Sequence, residues 1–432
     1  MKNIDSLYKR VTIRLVPFLV LLYLVAYIDR SVLAFAKLHM NVDVGISDAA
    51  YGFGAGLFFL GYIIFEVPSN YFLMKVGARR WFARILVTWG IITIAMATIQ
   101  STTSFYWLRF LLGAAEAGFY PGVLYYLTLW YPSARRGKIY GYFAFAQPLA
   151  PMLAGPLSGA LLGLDGLAGL HGWQWVFIMC GLPAVLLVIP TLKLLPDTPA
   201  GAKWLKKDEA AVLNREVEDD AKAISQIENS KDGANHSMFK ALTDSRVLML
   251  AFAYVPIPLA LYGLSLWLPT LIQGFSTTDL TTGFLSAIPF LFGAIGLLII
   301  PAHSDKKNER YFHIVACCLV SVAGLLGAAW FSSLALQLVS LCFVGFTLYS
   351  ASAVLWALPG RFLTGGGAAV GLAAINSIGN LGGYIGPFGI GIIKEETGSL
   401  AYGLVFLAAG LFLTVALVLI LRTKDRLAVN MK

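Results

Sequence analysis

Four ionisable side chains, Asp29, Arg30, Arg109 and Glu116, fall inside stretches of otherwise apolar sequence. A charge at the centre of a bilayer-spanning helix costs roughly 2.5–3.5 kcal/mol even on the lenient insertion scale, so four of them require a shared interior. Two acids and two bases leave the set neutral as a whole, and either acid can take up a proton. That combination suits a proton-coupled pathway for an anion. Arg109 and Glu116 lie two turns apart, about 10 Å along one helix face, whereas the neighbours Asp29 and Arg30 diverge by about 100°. One of that pair can face the centre while the other meets an adjacent helix. Burial raises a carboxyl pKa and a nearby arginine lowers it, so their balance decides whether an acid titrates in a physiological proton gradient. An arginine stays charged and presents a planar fork to a carboxylate. The acids are therefore assigned to proton coupling and at least one arginine to the anion. A salt-bridge network that merely ties two spans together is the weaker reading, because intramembrane charges mark pathways.

The second half of the chain offers no comparable charge within its apolar runs. Its polar candidates are Asn376 and Asn380, one turn apart, then Trp356 with Ser350 and Ser352, and Tyr262. Amides and an indole can bind hydroxyls or stack on a ring without altering the charge balance. Tyr27, Tyr62 and Gln147 (beside Pro148 and Pro151) are the first-half counterparts. Glu66 is read as a gate or cap. His39, His171 and His303 sit at loop ends and read as surface residues. Cys180, Cys317, Cys318 and Cys342 read as small buried hydrophobes, with no metal spacing among them.

The elements that must position these groups follow from composition. The 432 residues are 58% hydrophobic and only 13% charged, with a mean hydropathy of +0.75. Soluble domains carry about 25% charged residues. Twelve apolar runs of bilayer length occur, at about 12–37, 50–74, 81–100, 104–130, 138–163, 173–195, 246–272, 281–301, 311–331, 334–358, 368–393 and 400–421. The expected architecture is an all-α integral membrane protein with twelve transmembrane helices in two six-helix halves. The first run is too long for a cleavable signal peptide and reads as a retained helix.

Basic residues collect at alternate ends of the runs: Lys9, Arg10 and Arg14, then Lys75, Arg79, Arg80 and Arg84, then Arg135 and Arg136, then Lys306, Lys307 and Arg310. The opposite connections hold little beyond Lys37 and Lys394. This asymmetry places both termini in the cytoplasm. It accounts for the net charge of +9 better than a nucleic-acid partner does. Residues 196–245 form the long polar connection, read as a cytoplasmic linker with a surface helix between Lys206 and Ser230. The expected units are therefore 1–195, 196–245 and 246–432. A single offset relates Gly155-Pro156 to Gly386-Pro387 and Lys75 to Lys306, the mark of a duplicated transporter whose substrate sits between halves. Glycines at four-residue spacing (Gly52/Gly56, Gly155/Gly159, Gly379/Gly383, Gly382/Gly386) allow close helix approach, whether for static packing or for sliding.

At these residues the chain resembles the anion:cation symporter family of the major facilitator superfamily, over almost its whole length. Tyr27-Ile28-Asp29-Arg30 through Phe35-Ala36 is similar to the family's first-span motif, with Ser31 where asparagine is usual and Ala34 in place of a glycine. Tyr51-Gly52-Phe53-Gly54-Ala55-Gly56 through Phe65-Glu66-Val67-Pro68-Ser69-Asn70 resembles its second span. Gly77-Ala78-Arg79-Arg80 and Ser304-Asp305-Lys306 resemble the basic turns, and Pro196-Asp197-Thr198-Pro199 the segment after span six. The most specific match is Arg109-Phe110-Leu111-Leu112-Gly113-Ala114-Ala115-Glu116-Ala117-Gly118 with Pro121-Gly122.

The resemblance implies proton-driven import of a small organic carboxylate across the cytoplasmic (inner) membrane by a monomer, with protons as the coupling ion and no cofactor. It implies proton coupling at Asp29 and Glu116, and a charge network with substrate contact at Arg30 and Arg109. It further implies pocket positions at Tyr27, Tyr62, Gln147, Trp356 and Asn376. The wording of the second span is nearest to members handling tartrate, 4-hydroxyphenylacetate or phthalate; a sugar-acid symporter is the alternative. An organophosphate exchanger fits less well, since the seventh span has only Arg246 at its start. In a drug antiporter the fifth-span glycine pattern would not be interrupted by Gln147, Pro148 and Pro151. An enzyme would need a nucleophile, metal or nucleotide motif, and no HExxH, GxSxG or Walker sequence occurs.

Overall fold

A computed structural model of the chain describes residues 2–229, 243–361 and 366–430. The part of the expected linker from Ser230 to 242 lies outside the described residues. The first six crossings are α1 (Lys2–Val44), α2 (Asp48–Val76), α3 (Ala78–Ala95), the pair α4 (Thr102–Glu116) and α5 (Phe119–Thr128), α6 (Ser133–Leu162), and the pair α7 (Gly172–Leu186) and α8 (Val188–Leu194). Helix α9 (Lys207–Asn229) follows. The last six are the pair α10 (Ser245–Tyr254) and α11 (Pro256–Gln273), α12 (Asp279–Lys307), α13 (Tyr311–Trp330), α14 (Leu334–Leu355), α15 (Gly366–Thr397) and α16 (Leu400–Asn430).

Each of the twelve apolar runs is thus occupied by helix, and three of them break. The fourth breaks at Ala117 and Gly118, the sixth at Leu187, and the seventh at Val255, just before Pro256. Among the described residues, nine helical stretches are long and apolar enough to cross a membrane by length and composition alone. The other three crossings are the broken α4–α5 and the glycine- and proline-bearing α6 and α15. Prolines inside membrane helices are tolerated because neighbouring helices satisfy the freed backbone groups. Helix starts carry ordinary caps: Ser47 accepts from Ala50 N at 3.2 Å, Ser101 and Ser104 cap each other's backbone, and Thr278 accepts from Thr281 N. Large apolar side chains such as Ile13, Val67, Trp107 and Leu298 remain outward-facing, as a helical bundle solvated by lipid requires.

Within the first half, α1 packs on α6 and α7, α2 on α4, and α3 on α7. In the second half α12 and α13 pack on α14, α13 on α16, and α11 on α15. Three pairs join the halves: α2 with α15, α6 with α12, and α1 with α11. The expected small-residue stripes lie at these seams. A Cβ on Gly155 would come within 2.3 Å of the Gly283 carbonyl, one on Gly52 within 2.5 Å of the Pro387 carbonyl, and one on Gly159 within 2.6 Å of the Asp279 carbonyl. Gly379, Gly382 and Gly386 instead seat α15 against Tyr254, Val255 and Leu259 of its own half.

Candidate functional site

The four expected charges come from α1 and α4, and they do not form one ion-pair cluster. Arg30 reaches across to the end of α4, its Nε donating to Glu116 Oε1 at 2.8 Å and its Nη2 lying 2.7 Å from the same oxygen. Glu116 is fully buried. Asp29 points the other way along α1, as adjacency on a helix dictates, and its Oδ2 accepts from Thr93 Oγ1 of α3 at 3.0 Å. Arg109 is buried, and its Nη2 donates to the Ala55 carbonyl of α2 at 3.3 Å. Glu116 Oε2, Asp29 Oδ1 and Arg109 Nε have no hydrogen-bond partner among the described residues. Buried polar atoms are nearly always satisfied in proteins. The two free carboxylate oxygens are places where a proton can land.

Arg30 sits in an aromatic cage. Its guanidinium carbon is 5.0 Å from the Tyr27 ring centroid, 4.9 Å from Phe58 and 5.1 Å from Tyr62. Such contacts hold a weakly hydrated cation without neutralising it. The Arg30 side chain is 14% exposed, whereas that of Glu116 is 0% exposed, so of this ion pair only the arginine opens onto space. Phe58 also lies 5.0 Å from Arg109. Sequence reasoning did not single out Phe58; its place one turn before Tyr62 on α2 was the available signal. Thr93 was missed as well, a lone hydroxyl in an apolar span that only the packing of α3 identifies.

The helix break after Glu116 has a local cause. Gly118 takes the left-handed conformation, φ +79°, and a Cβ there would lie 2.5 Å from Ser69 Oγ. Only glycine combines that backbone with that approach. The break ends α4 at Glu116 and sets the carboxylate opposite Arg30.

The remaining candidates line the same level of the seam. Tyr27 Oη lies 3.3 Å from Tyr262 Oη of α11, joining the halves. Tyr23 stacks on Tyr120 at 4.9 Å, with the Gln147 side chain beside it. Across the seam, Trp356 packs edge-on against Tyr254 at 5.2 Å. Asn376 and Asn380, one turn apart, are half-buried on α15, where Gly379 leaves a groove for Tyr254. The first half therefore contributes charge and rings to this level, and the second half contributes phenols, an indole and amides.

At the end away from the basic turns the halves are sealed. Lys394 of α15 meets Asp48 of α2 at 2.8 Å, Glu395 accepts from Ala49 N at 2.7 Å, and Tyr51 Oη donates to the Leu266 carbonyl at 3.2 Å. His39, expected as an ordinary surface residue, is exposed but pairs with Asp279 across the seam at 2.9 Å.

Comparison with known proteins fits this architecture. The family described as Major Facilitator Superfamily matches residues 19–387. A protein of Acinetobacter baumannii named "Quinolone resistance transporter" is 55% identical over 94% of this chain and 93% of its own length. One of Agrobacterium vitis named "Putative tartrate transporter" is 44% identical over 98% of this chain and 92% of its own. Among solved structures, a bacterial homologue of the human lysosomal transporter Spinster, inward-facing and occupied, superposes with a TM-score of 0.75 at 16% identity. That match covers 94% of this chain and 96% of the other.

Proposed function

Since the chain belongs to the Major Facilitator Superfamily, within the anion:cation transporters its motifs resemble, we propose that this multi-pass membrane protein is a proton-coupled symporter. It imports an organic carboxylate, a hydroxy acid such as tartrate or an aromatic acid, by alternating access across the cytoplasmic membrane. The observation that carries this reading is the buried Arg30–Glu116 pair, with one glutamate oxygen unsatisfied and the arginine held between three rings beside the Tyr27–Tyr262 seam.

The pair supplies a coupling mechanism. While Glu116 is ionised it occupies the Arg30 fork that a carboxylate needs. A proton arriving from outside neutralises Glu116 and frees the guanidinium, so anion and proton load together. Loss of the proton to the cytoplasm returns Glu116 to Arg30 and expels the anion. Asp29, held by Thr93 with its second oxygen free, is the second proton site, and Arg109 balances charge behind the cage. Tyr27, Tyr62, Gln147, Trp356, Asn376 and Asn380 shape the space around the acid. With the basic turns in the cytoplasm, the sealed end faces outward.

Proteoliposomes test this reading. External acidification should drive accumulation of labelled tartrate or 4-hydroxyphenylacetate, and Glu116→Gln should abolish accumulation while preserving exchange. Normal uphill accumulation by Glu116→Gln would remove the coupling assignment.

A second reading is favoured by the 55% identical relative named for quinolone resistance. Quinolones carry a carboxylate, so the Arg30 fork could take one and export it. Labelled quinolone extruded from everted vesicles on energisation, with no tartrate or hydroxyphenylacetate uptake, would select that reading.

A further inference from the structure

Among the described residues, Lys37 and Lys394 are the two lysines or arginines of the outer face, and one carboxylate serves both. Asp48 Oδ1 lies 3.2 Å from Lys37 Nζ, and its Oδ2 lies 2.8 Å from Lys394 Nζ. Lys37 is buried, with its ammonium 3.2 Å from the Trp267 ring centroid and 3.4 Å from Thr270 Oγ1. Glu395, the neighbouring acid, accepts from Ala49 N. Two lysines thus meet two carboxylates here, and Asp48 is the one that bridges both ammonium groups. Beside it lies a cavity of about 550 Å³ lined by Thr270, Gln273, Gln337, Lys394 and Ser399. Asp48 and Lys37 belong to the first half, and Lys394 with the cavity belongs to the second.

Separation of α2 from α15 would leave Asp48 neutralised by Lys37 and strip Lys394 of its partner. Lys394 would then stand without Asp48 at the rim of a polar cavity, beside Glu395 and 5.4 Å from the Trp267 ring centroid. We infer that Lys394 is an outer docking site for the incoming organic anion, and that Asp48 is the chain's own carboxylate, which displaces the anion when the outer end closes. The docking site rests on the carboxylate-transport reading above. Thr270, Gln273 and Ser399 offer hydroxyl and amide groups to the polar substituents of an organic acid.

The test separates docking from simple closure, because the two predict opposite signs. Lys394→Gln removes both the docking charge and the latch; Asp48→Asn removes the latch and the competing carboxylate but leaves the docking charge. Docking predicts that Lys394→Gln raises the external KM for tartrate or 4-hydroxyphenylacetate about tenfold, the weaker end of a charge-assisted hydrogen bond. Asp48→Asn lowers it, and Lys394→Arg stays near wild type. The thermal unfolding midpoint of detergent-solubilised Lys394→Gln should stay near that of wild type, which shows that the variant is folded. If Lys394→Gln instead lowers the external KM as Asp48→Asn does, or leaves it unchanged, Lys394 only closes the gate and the docking site is overturned. Wild-type protein that takes up neither acid overturns the transport reading itself, and the site with it.

Discussion

At the scale of single residues, charge was legible in the sequence and pairing was not. Seven residues along one helix place Arg109 and Glu116 about 10 Å apart, too far for an ion pair, so the partner of Glu116 had to come from another helix. Sequence spacing could not choose between Asp29 and Arg30 as the residue facing the centre. The packing of α3 makes that choice by bringing Thr93 to Asp29, which turns Arg30 toward Glu116. The two arginines consequently differ in kind. Arg30 is held only by a titratable partner and three rings, whereas Arg109 is anchored to the Ala55 carbonyl. Arg30→Ala should therefore abolish the rise in melting temperature caused by the transported acid. Arg109→Ala should retain a ligand-induced rise but destabilise the ligand-free protein by about 2 kcal/mol, the net worth of a hydrogen bond to a charged group. Thermal-shift assays of both variants check this; ligand stabilisation surviving in Arg30→Ala but lost in Arg109→Ala would reverse the assignment.

Among the elements, the positions of the helices could be read from apolar runs, but their breaks could not. Gly118 is one glycine among 43, and nothing in its run announces a left-handed turn; Ser69, from another helix, supplies the reason. Helix α9 shows the converse, a charged amphipathic stretch whose docking depends on a few contacts. Leu213 and Ala210 are buried, Arg10 meets Glu209 at 2.5 Å, and Asp220 accepts from Ser133 N at 2.9 Å and lies 3.3 Å from Arg136. The hydrogen bond from Arg10, followed by that from the Lys206 backbone, holds the Glu209 pKa below the usual glutamate value. A depressed carboxyl pKa contributes stability that is complete above the unfolded value and is lost as pH falls through the folded one. Limited proteolysis of the linker should accordingly stay slow from neutral pH down through the ordinary glutamate range and accelerate only below it. Arg10→Ala should shift that acceleration to higher pH, and an unshifted profile would show that the pair does not hold α9.

For the molecule as a whole, the glycine stripes and the two sets of six runs gave the architecture, but only the structure shows which stripes lie between halves. Gly155 and Gly283 press backbone on backbone, as Gly52 does on Pro387. The Tyr27–Tyr262, Asp48–Lys394 and His39–Asp279 contacts join the same halves. Interfaces that touch through glycine can part without unlocking interdigitated side chains, so these seams suit the opening and closing that alternating access demands. Adding a side chain at Gly155 makes this testable, since a Cβ would lie 2.3 Å from the Gly283 carbonyl. Overpacking of this kind typically costs 1–3 kcal/mol, which in a two-state equilibrium moves the population about fivefold to 150-fold toward the state without the clash. Gly155→Leu should therefore hold the outer end open. A reporter cysteine at Gln273 should be labelled about tenfold faster by a membrane-impermeant maleimide, while net uptake falls. Gly141 on the same helix has nothing among the described residues within 4 Å of its would-be Cβ, so Gly141→Ala should leave labelling unchanged. Equal labelling in Gly155→Leu and wild type would mean that the seam is fixed packing and that opening occurs elsewhere.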